Sequence, residues 1–118
     1  PLRLLETLYP GEDIEKAGRR LIEMGASEVT VTNGDAGAWL IGVDGMKYQR
    51  AFSIQAVDTN GAGDVFSGAM IYGAFMEWGP EQRLRFASAA AALKCCAVGN
   101  REALPTLKQV ESFLLEEN

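Results

Sequence analysis

The stretch Asp58-Thr59-Asn60-Gly61-Ala62-Gly63-Asp64 connects a β-rich segment to a long segment of small and apolar residues. Its glycines let backbone N–H groups approach a ligand closely, because no Cβ stands in the way. Where such a loop enters a helix, the free N–H groups and the helix dipole together form a binding site for an anion. The stretch therefore predicts a strand–loop–helix unit that binds a phosphate group.

A carboxylate lies at each end of this loop. Asp64 falls in the first turn of the predicted helix, where the dipole favours an ionised acid by about 0.3–1 kcal/mol. An ionised carboxylate beside a phosphate group suits a general base that accepts the proton of an attacking hydroxyl. Asp58, on the strand side, is placed to orient the loop or to assist a bound cation.

Three other interpretations of the loop compete with a phosphate site. A P-loop requires Gly-Lys-Ser/Thr, which the sequence lacks, and in a dinucleotide-binding fingerprint the third glycine position would fall on Phe66. The remaining interpretation is a glycine-rich turn whose Asp64 serves only to cap the helix. The loop residues by themselves leave that interpretation open.

Composition limits the classes of function. Hydrophobic residues make up 47% and charged residues 23% of the 118 positions, which is ordinary for one globular domain. The net charge of −5 argues against a nucleic-acid partner, since such binding needs a basic face. The chain has no His, which excludes His-dependent catalysis and His-ligated metals. The longest apolar run, residues 89–93, is too short for a membrane span. Cys95 and Cys96 are adjacent and seldom pair in that arrangement, which favours free thiols and a reducing, cytoplasmic location.

The segment before the loop predicts one helix and a β-hairpin. Apolar residues recur at helical spacing over residues 12–24, and the β-rich residues 28–32 predict a strand that ends in a turn at 33–37. Residues 38–43 and 46–52 predict two further strands around the hairpin turn Asp44-Gly45. Residues 53–57 fit either a further strand or a bend, and residues 1–11 a short helical or loop segment.

The segment after the loop predicts three helices. Residues 65–78 form the first, Gly79-Pro80 breaks it, and an Ala-rich second helix covers residues 81–96. Thr106 and Gln109 form a capping-box signature that opens a last amphipathic helix. This order of elements is α/β. The predicted sheet is too small for four helices, which suggests part of a larger domain.

The full string Asp-Thr-x-Gly-Ala-Gly-Asp, followed by Phe66, Gly68 and an Ala-rich helix, resembles the C-terminal signature of the PfkB family of ribokinase-like carbohydrate kinases. The turn at residues 32–37 resembles the nucleotide-contacting Thr-x-Gly-x-x-Gly turn of that family. Gly99 and the segment 104–106 follow in the order of the family, so the resemblance extends from about residue 12 to the end of the chain.

The resemblance implies a role for each matching position. Asp64 would be the catalytic base, and the backbone of Gly61, Ala62 and Gly63 would form an anion hole. Contacts to the nucleotide would come from Thr32, Gly34, Asp35, Gly37 and Ser88. A monovalent cation such as K⁺ would be bound by Asp58, Asn60, Ala97 and Gly99. Three positions depart from the common family residues: Asn60 replaces a Thr, Ser88 an Asn and Ala103 a Ser.

The resemblance also implies a fold and an activity. The chain would be the C-terminal portion of a three-layer α/β/α sandwich, with residues 1–118 forming its nucleotide-binding and catalytic part and the N-terminal half and lid lying outside it. The activity would be Mg²⁺- and ATP-dependent phosphoryl transfer to a hydroxyl of a sugar or nucleoside. The full-length protein would form a homodimer, and the fragment alone would be inactive. A non-catalytic nucleotide-binding or interaction module of the same fold is the alternative.

Overall fold

The computed structural model describes residues 2–117. The chain divides into two compact units, Pro1–Arg50 and Ala51–Asn118. Over the described residues the fold is α/β, with a three-stranded antiparallel sheet in the first unit and five α-helices shared between the two units. No helix in that range is both long enough and apolar enough to cross a membrane.

The first unit contains two helices and the sheet, in the order α1 (Leu2–Leu8), α2 (Ile14–Glu23), β1 (Val29–Thr32), β2 (Ala38–Gly42) and β3 (Gly45–Gln49). Helix α2 begins two residues later than predicted. The reason is that Asp13 is its N-cap, whose Oδ1 accepts a hydrogen bond of 2.8 Å from the Lys16 amide. Buried side chains from α1, α2 and the sheet form the core of this unit: Leu5, Ala17, Val31 and Ile41.

The predicted hairpin is confirmed, with altered bounds. Strands β2 and β3 pair up to Gly42 and Gly45, so the turn consists of Val43 and Asp44. Strand β3 ends at Gln49, whereas the sequence predicted a strand from 46 to 52. Residues 53–57 form no strand, and the chain bends at Val57, which was one of the two expectations for that segment.

The second unit contains α3 (Ala62–Phe75), α4 (Pro80–Cys95) and α5 (Leu107–Glu116). Helix α3 packs on α4, and the fully buried small side chains Ala87 and Ala89 allow helices to approach closely. The aromatic rings of Tyr72, Trp78 and Phe86 add a cluster with centroids 5.0–5.9 Å apart.

Helix α3 differs from its predicted range of 65–78. It begins three residues earlier, because only Gly61 carries a left-handed backbone conformation (φ 80°, ψ 0°), while Ala62 and Gly63 already belong to the helix. It also ends earlier, at Phe75, just before Glu77 adopts a positive φ of 59°. Pro80, which was predicted to break the helix, is the first residue of α4, a position that suits its fixed φ.

Helix α5 begins with the predicted capping box. The Thr106 Oγ1 accepts from the Gln109 amide at 3.2 Å, and the Gln109 Oε1 accepts from the Thr106 amide at 2.8 Å. We expect Thr106→Ala to lower the free energy of unfolding by about 1 kcal/mol, because the Gln109 amide loses the Thr106 Oγ1 as its acceptor. Urea denaturation measures the change. The control Ser112→Ala, at an exposed position inside α5, should be neutral or slightly stabilising, and an equal loss in both variants would contradict the prediction.

Candidate active site

The glycine-rich loop ends at the N-terminus of α3, as predicted. Gly61 is the N-cap, and the Val65 amide closes the first turn on its carbonyl at 3.1 Å. The Ala62 amide donates to the Thr59 carbonyl at 3.2 Å, within the loop. The amides of Gly63 and Asp64 are therefore the first-turn donors for which the backbone of the helix offers no acceptor. Both are oriented by the helix for an anion at its N-terminus.

Asp64 lies in the first turn of α3 and is exposed to solvent. Together with Gly61 it lines a cavity of about 580 Å³ within the second unit. That volume falls in the usual range for small-molecule sites. The other side chains of the cavity that carry a charge or an amide are Lys94 and Asn100, and most of the remaining lining is apolar, formed by Val65, Ala69, Phe86, Ala90, Leu104, Pro105, Leu107 and Val110.

Asp58 holds the start of the loop in place. Its Oδ1 accepts from the Asn60 amide at 3.0 Å, and its Oδ2 accepts from the Gly99 amide at 3.2 Å. The amides of Val57 and Asp58 donate in turn to the Cys95 carbonyl at the end of α4, at 2.7 and 3.1 Å. The loop is thereby fixed to the C-terminal end of α4. The hydrogen bonds from Asn60, Gly99 and then Lys94 hold the pKa of the Asp58 carboxyl below its usual value.

Lys94 is a site residue that the sequence interpretation missed. Its side chain is fully buried, at 0% exposure, and its Nζ donates to the Asp58 carbonyl at 3.3 Å and to the Asp58 Oδ2 at 3.4 Å. Charged residues are seldom fully buried unless they are paired. The available signal was that Lys94 is the only charged residue between positions 87 and 100, in a segment whose small residues predicted close packing.

The residues predicted for a monovalent cation lie near the same point. Asp58, Asn60 and Gly99 converge, with the two amides directed at the Asp58 carboxylate. Ala97 is exposed in the turn that follows α4, and its amide donates to the Lys94 carbonyl at 3.4 Å. Among these four residues, Asn60 and Gly99 donate to the Asp58 carboxylate, whereas Ala97 contacts a backbone carbonyl of α4.

The residues predicted to contact the nucleotide fall in two places. Thr32 ends β1, Gly34 and Asp35 form a 3₁₀ turn, and Gly37 follows it, all in the first unit. Gly37 has a positive φ of 100°, and a Cβ there would lie 2.5 Å from the Gln49 carbonyl oxygen, so the turn requires glycine. Ser88 is half-buried in α4 of the second unit and is not among the residues that line the cavity beside Asp64.

A pH-dependent loss of stability is expected on removing the Asp58 charge. Asp58→Asn leaves the buried Lys94 ammonium without its counter-charge, so the free energy of unfolding falls at neutral pH. The folded-state pKa of Asp58 lies below its unfolded value, so the contribution of the carboxylate is complete above the unfolded pKa and is lost as pH falls through the folded-state pKa. The difference in free energy of unfolding between wild type and Asp58→Asn should therefore become smaller only in acid.

Urea denaturation of wild type and Asp58→Asn from neutral to strongly acidic pH measures this gap. Asp44→Asn is the matched control, because Asp44 is exposed in the hairpin turn and Asn suits such a turn equally well. A gap for Asp58→Asn that stayed constant into strong acid would show that the carboxylate charge is not its source.

Comparison with known proteins identifies the family of the chain. The family model described as "pfkB family carbohydrate kinase" matches residues 6–107. A 5-dehydro-2-deoxygluconokinase from Clostridium botulinum is 30% identical over 116 residues, which cover 96% of this chain and 34% of that protein. The chain thus spans about a third of the length of the curated relatives that it matches.

Solved structures show the same fold. Arabidopsis thaliana ribokinase complexed with ribose and ATP matches with a TM-score of 0.84 and 32% identity, over 93% of this chain and 38% of that one. An Escherichia coli protein assigned as a ribokinase II, in complex with ATP and Mg²⁺, matches with a TM-score of 0.87 and 28% identity, over 95% and 36%. The ribokinase-like fold predicted from the sequence is confirmed, and the chain belongs to the pfkB family of carbohydrate kinases.

Proposed function

We propose that this chain is the C-terminal nucleotide-binding and catalytic part of a longer enzyme that transfers a phosphoryl group from ATP to a hydroxyl of a sugar or nucleoside. The observation that carries the proposal is the Asp64 carboxylate in the first turn of α3, beside the free amides of the helix start and at the wall of a cavity. General base and anion site are thus adjacent, as phosphoryl transfer requires.

Each group at the helix start has a role in this reaction. The acceptor hydroxyl gives its proton to a carboxylate oxygen of Asp64 as its own oxygen forms a bond to the γ-phosphorus, and the bond from that phosphorus to the β–γ bridging oxygen breaks to leave ADP. The amides of Gly63 and Asp64 donate to the phosphoryl oxygens, where negative charge gathers in the transition state. Gly61, with its left-handed backbone, sets the direction in which α3 presents these amides.

Mg²⁺ is proposed as the partner of ATP, since it neutralises charge on the β- and γ-phosphates. It is commonly bound through one or two carboxylates together with substrate phosphates. Asp64 serves as the base in this proposal, so the ion would be held mainly by the phosphates of ATP. Among residues 2–117, no group of three or more His, Cys, Asp or Glu side chains is placed to hold a metal ion.

The turn formed by Thr32, Gly34, Asp35 and Gly37 is proposed to contact the nucleotide. Its backbone is held by the Asn33 amide, which donates to the Gly37 carbonyl at 2.9 Å, and by the Tyr48 hydroxyl, which donates to the Ala36 carbonyl at 2.7 Å. A turn fixed in this way needs little further ordering when it binds a ligand. The free thiols of Cys95 and Cys96 fit a cytoplasmic location.

ADP release by the full-length protein tests the proposal. Purified protein is incubated with ATP, Mg²⁺ and a panel of sugars, sugar acids and nucleosides, and a coupled assay follows ADP. We expect release that depends on one class of acceptor and exceeds the ATP hydrolysis seen without an acceptor. ATP binding in calorimetry with no acceptor-dependent release across the panel would instead support a non-catalytic nucleotide-binding module.

A further inference from the structure

The ammonium of Lys94 lies beside Asp58, the one charged residue among the four to which the family resemblance assigned a monovalent cation. The Nζ lies 3.4 Å from the Asp58 Oδ2, the carboxylate predicted as the charged ligand of that cation, and 3.3 Å from the Asp58 carbonyl oxygen. The Gly99 amide donates to the same Oδ2. A K⁺ ion bound to this Oδ2 would have to share it with the Lys94 ammonium and the Gly99 amide proton, and would lie close to another positive charge.

The burial of Lys94 shows that this contact is more than a surface ion pair. An ammonium group removed from water is tolerated only when acceptors and a counter-charge surround it. Lys94 is fully buried, whereas the Asp58 side chain retains 26% exposure. The four-carbon stem of Lys94 also lies against the loop, because a Cβ placed on Gly61 would be 3.8 Å from its Cε. The ammonium and the methylene stem of Lys94 thus both contact the loop that leads from Asp58 to the start of α3.

We propose that Lys94 is a built-in substitute for a monovalent cation, and that the enzyme is consequently independent of K⁺. The ammonium neutralises Asp58, joins the C-terminal end of α4 to the start of the loop, and so positions the α3 amides. A second cation near Asp58 would be repelled by Nζ at this short range. The functional part of this inference rests on the proposed kinase activity, and the cation site itself can be tested without it.

Removing the Lys94 side chain should create the cation site that the wild type lacks. Lys94→Ala leaves a space beside Asp58 that K⁺ can enter, and n-propylammonium can also enter it, because that ion matches the deleted part of the side chain. Lys94→Met fills the same space with an uncharged side chain and should exclude both ions. Lys108→Met, at an exposed position of α5, controls for the loss of one positive charge.

The experiment measures Tm and acceptor-dependent ADP release of the full-length protein in KCl and in choline chloride at equal ionic strength. Wild type and Lys108→Met should differ between the two salts by less than about twofold in turnover, with equal Tm values. Lys94→Ala should lose about 10- to 100-fold in turnover in choline chloride through misplacement of the loop. Added K⁺ or n-propylammonium should raise the turnover of Lys94→Ala at least about tenfold, and its Tm should rise with the concentration of either ion. Lys94→Met should show the loss and no recovery.

Two results would overturn the inference. In the first, K⁺ but not choline raises the turnover of the wild type severalfold, or raises its Tm by several degrees. This result can be obtained whether or not Lys94→Ala folds. In the second, Lys94→Ala folds but its Tm does not change with the concentration of K⁺ or n-propylammonium. If no acceptor is phosphorylated by any variant, the kinase proposal fails, while the Tm measurements still decide whether Lys94 takes the place of a cation.

Discussion

If the full-length protein is the proposed kinase, Asp64→Asn is expected to lower its kcat by about 100- to 10,000-fold, the usual contribution of a general base. Asn has nearly the same shape as Asp but cannot accept the proton of the acceptor hydroxyl. The loss should appear in kcat and kcat/KM together, because the interaction exists only in the transition state. ATP affinity, measured by calorimetry, should change little, since the α3 amides remain in place. Initial-rate kinetics with a saturating acceptor give the result.

A stability control separates chemistry from folding in this experiment. Asp64→Asn removes an acid from the first turn of α3, which should reduce the free energy of unfolding by at most about 1 kcal/mol. That change is too small to unfold a typical domain. Asp44→Asn makes the same chemical change in the hairpin turn and should retain full turnover. Near-normal turnover of Asp64→Asn would remove Asp64 from the role of base and leave it an acid that only favours the start of α3.

The features that the sequence predicted well depend on neighbouring residues. The hairpin around Asp44 and the capping box at Thr106 were found because each is encoded within a few positions. The start of α3 was placed three residues late because two glycines and an alanine look like loop from their composition. In the structure Gly61 alone adopts the left-handed conformation that precedes the helix.

The features that the sequence did not predict depend on residues far apart in the chain. Lys94 pairs with Asp58 across 36 positions, and no local pattern links the two. The resemblance to a family placed Asp58 and Gly99 in one site, but it gave no indication that the Lys94 ammonium lies beside Asp58. A lysine inside an Ala-rich helix predicts a buried charge that needs a partner, but only the structure shows that the partner of Lys94 is Asp58.

Gly61→Ala tests whether the backbone at the helix start positions the reaction. An L-residue at φ 80° costs about 1–2 kcal/mol. The new Cβ would also lie 2.8 Å from the Asn100 Oδ1, which is exposed and can rotate away. The backbone cost therefore dominates, and the loop can relieve it only by shifting α3 and its amides. A displacement of about 1 Å at the reacting groups lowers turnover about 100-fold, so we expect that loss in kcat.

Gly25→Ala separates backbone strain from misplacement of the anion site. Gly25 also has a positive φ, of 119°, a Cβ added there would meet no atom within 4 Å, and the residue follows α2 rather than the candidate site. Urea denaturation should show a loss of about 1–2 kcal/mol in the free energy of unfolding of both variants, while only Gly61→Ala should lose turnover. If Gly61→Ala unfolds more easily but retains full kcat, the helix start tolerates the shift, and the amides of Gly63 and Asp64 are not what stabilises the transferring phosphoryl group.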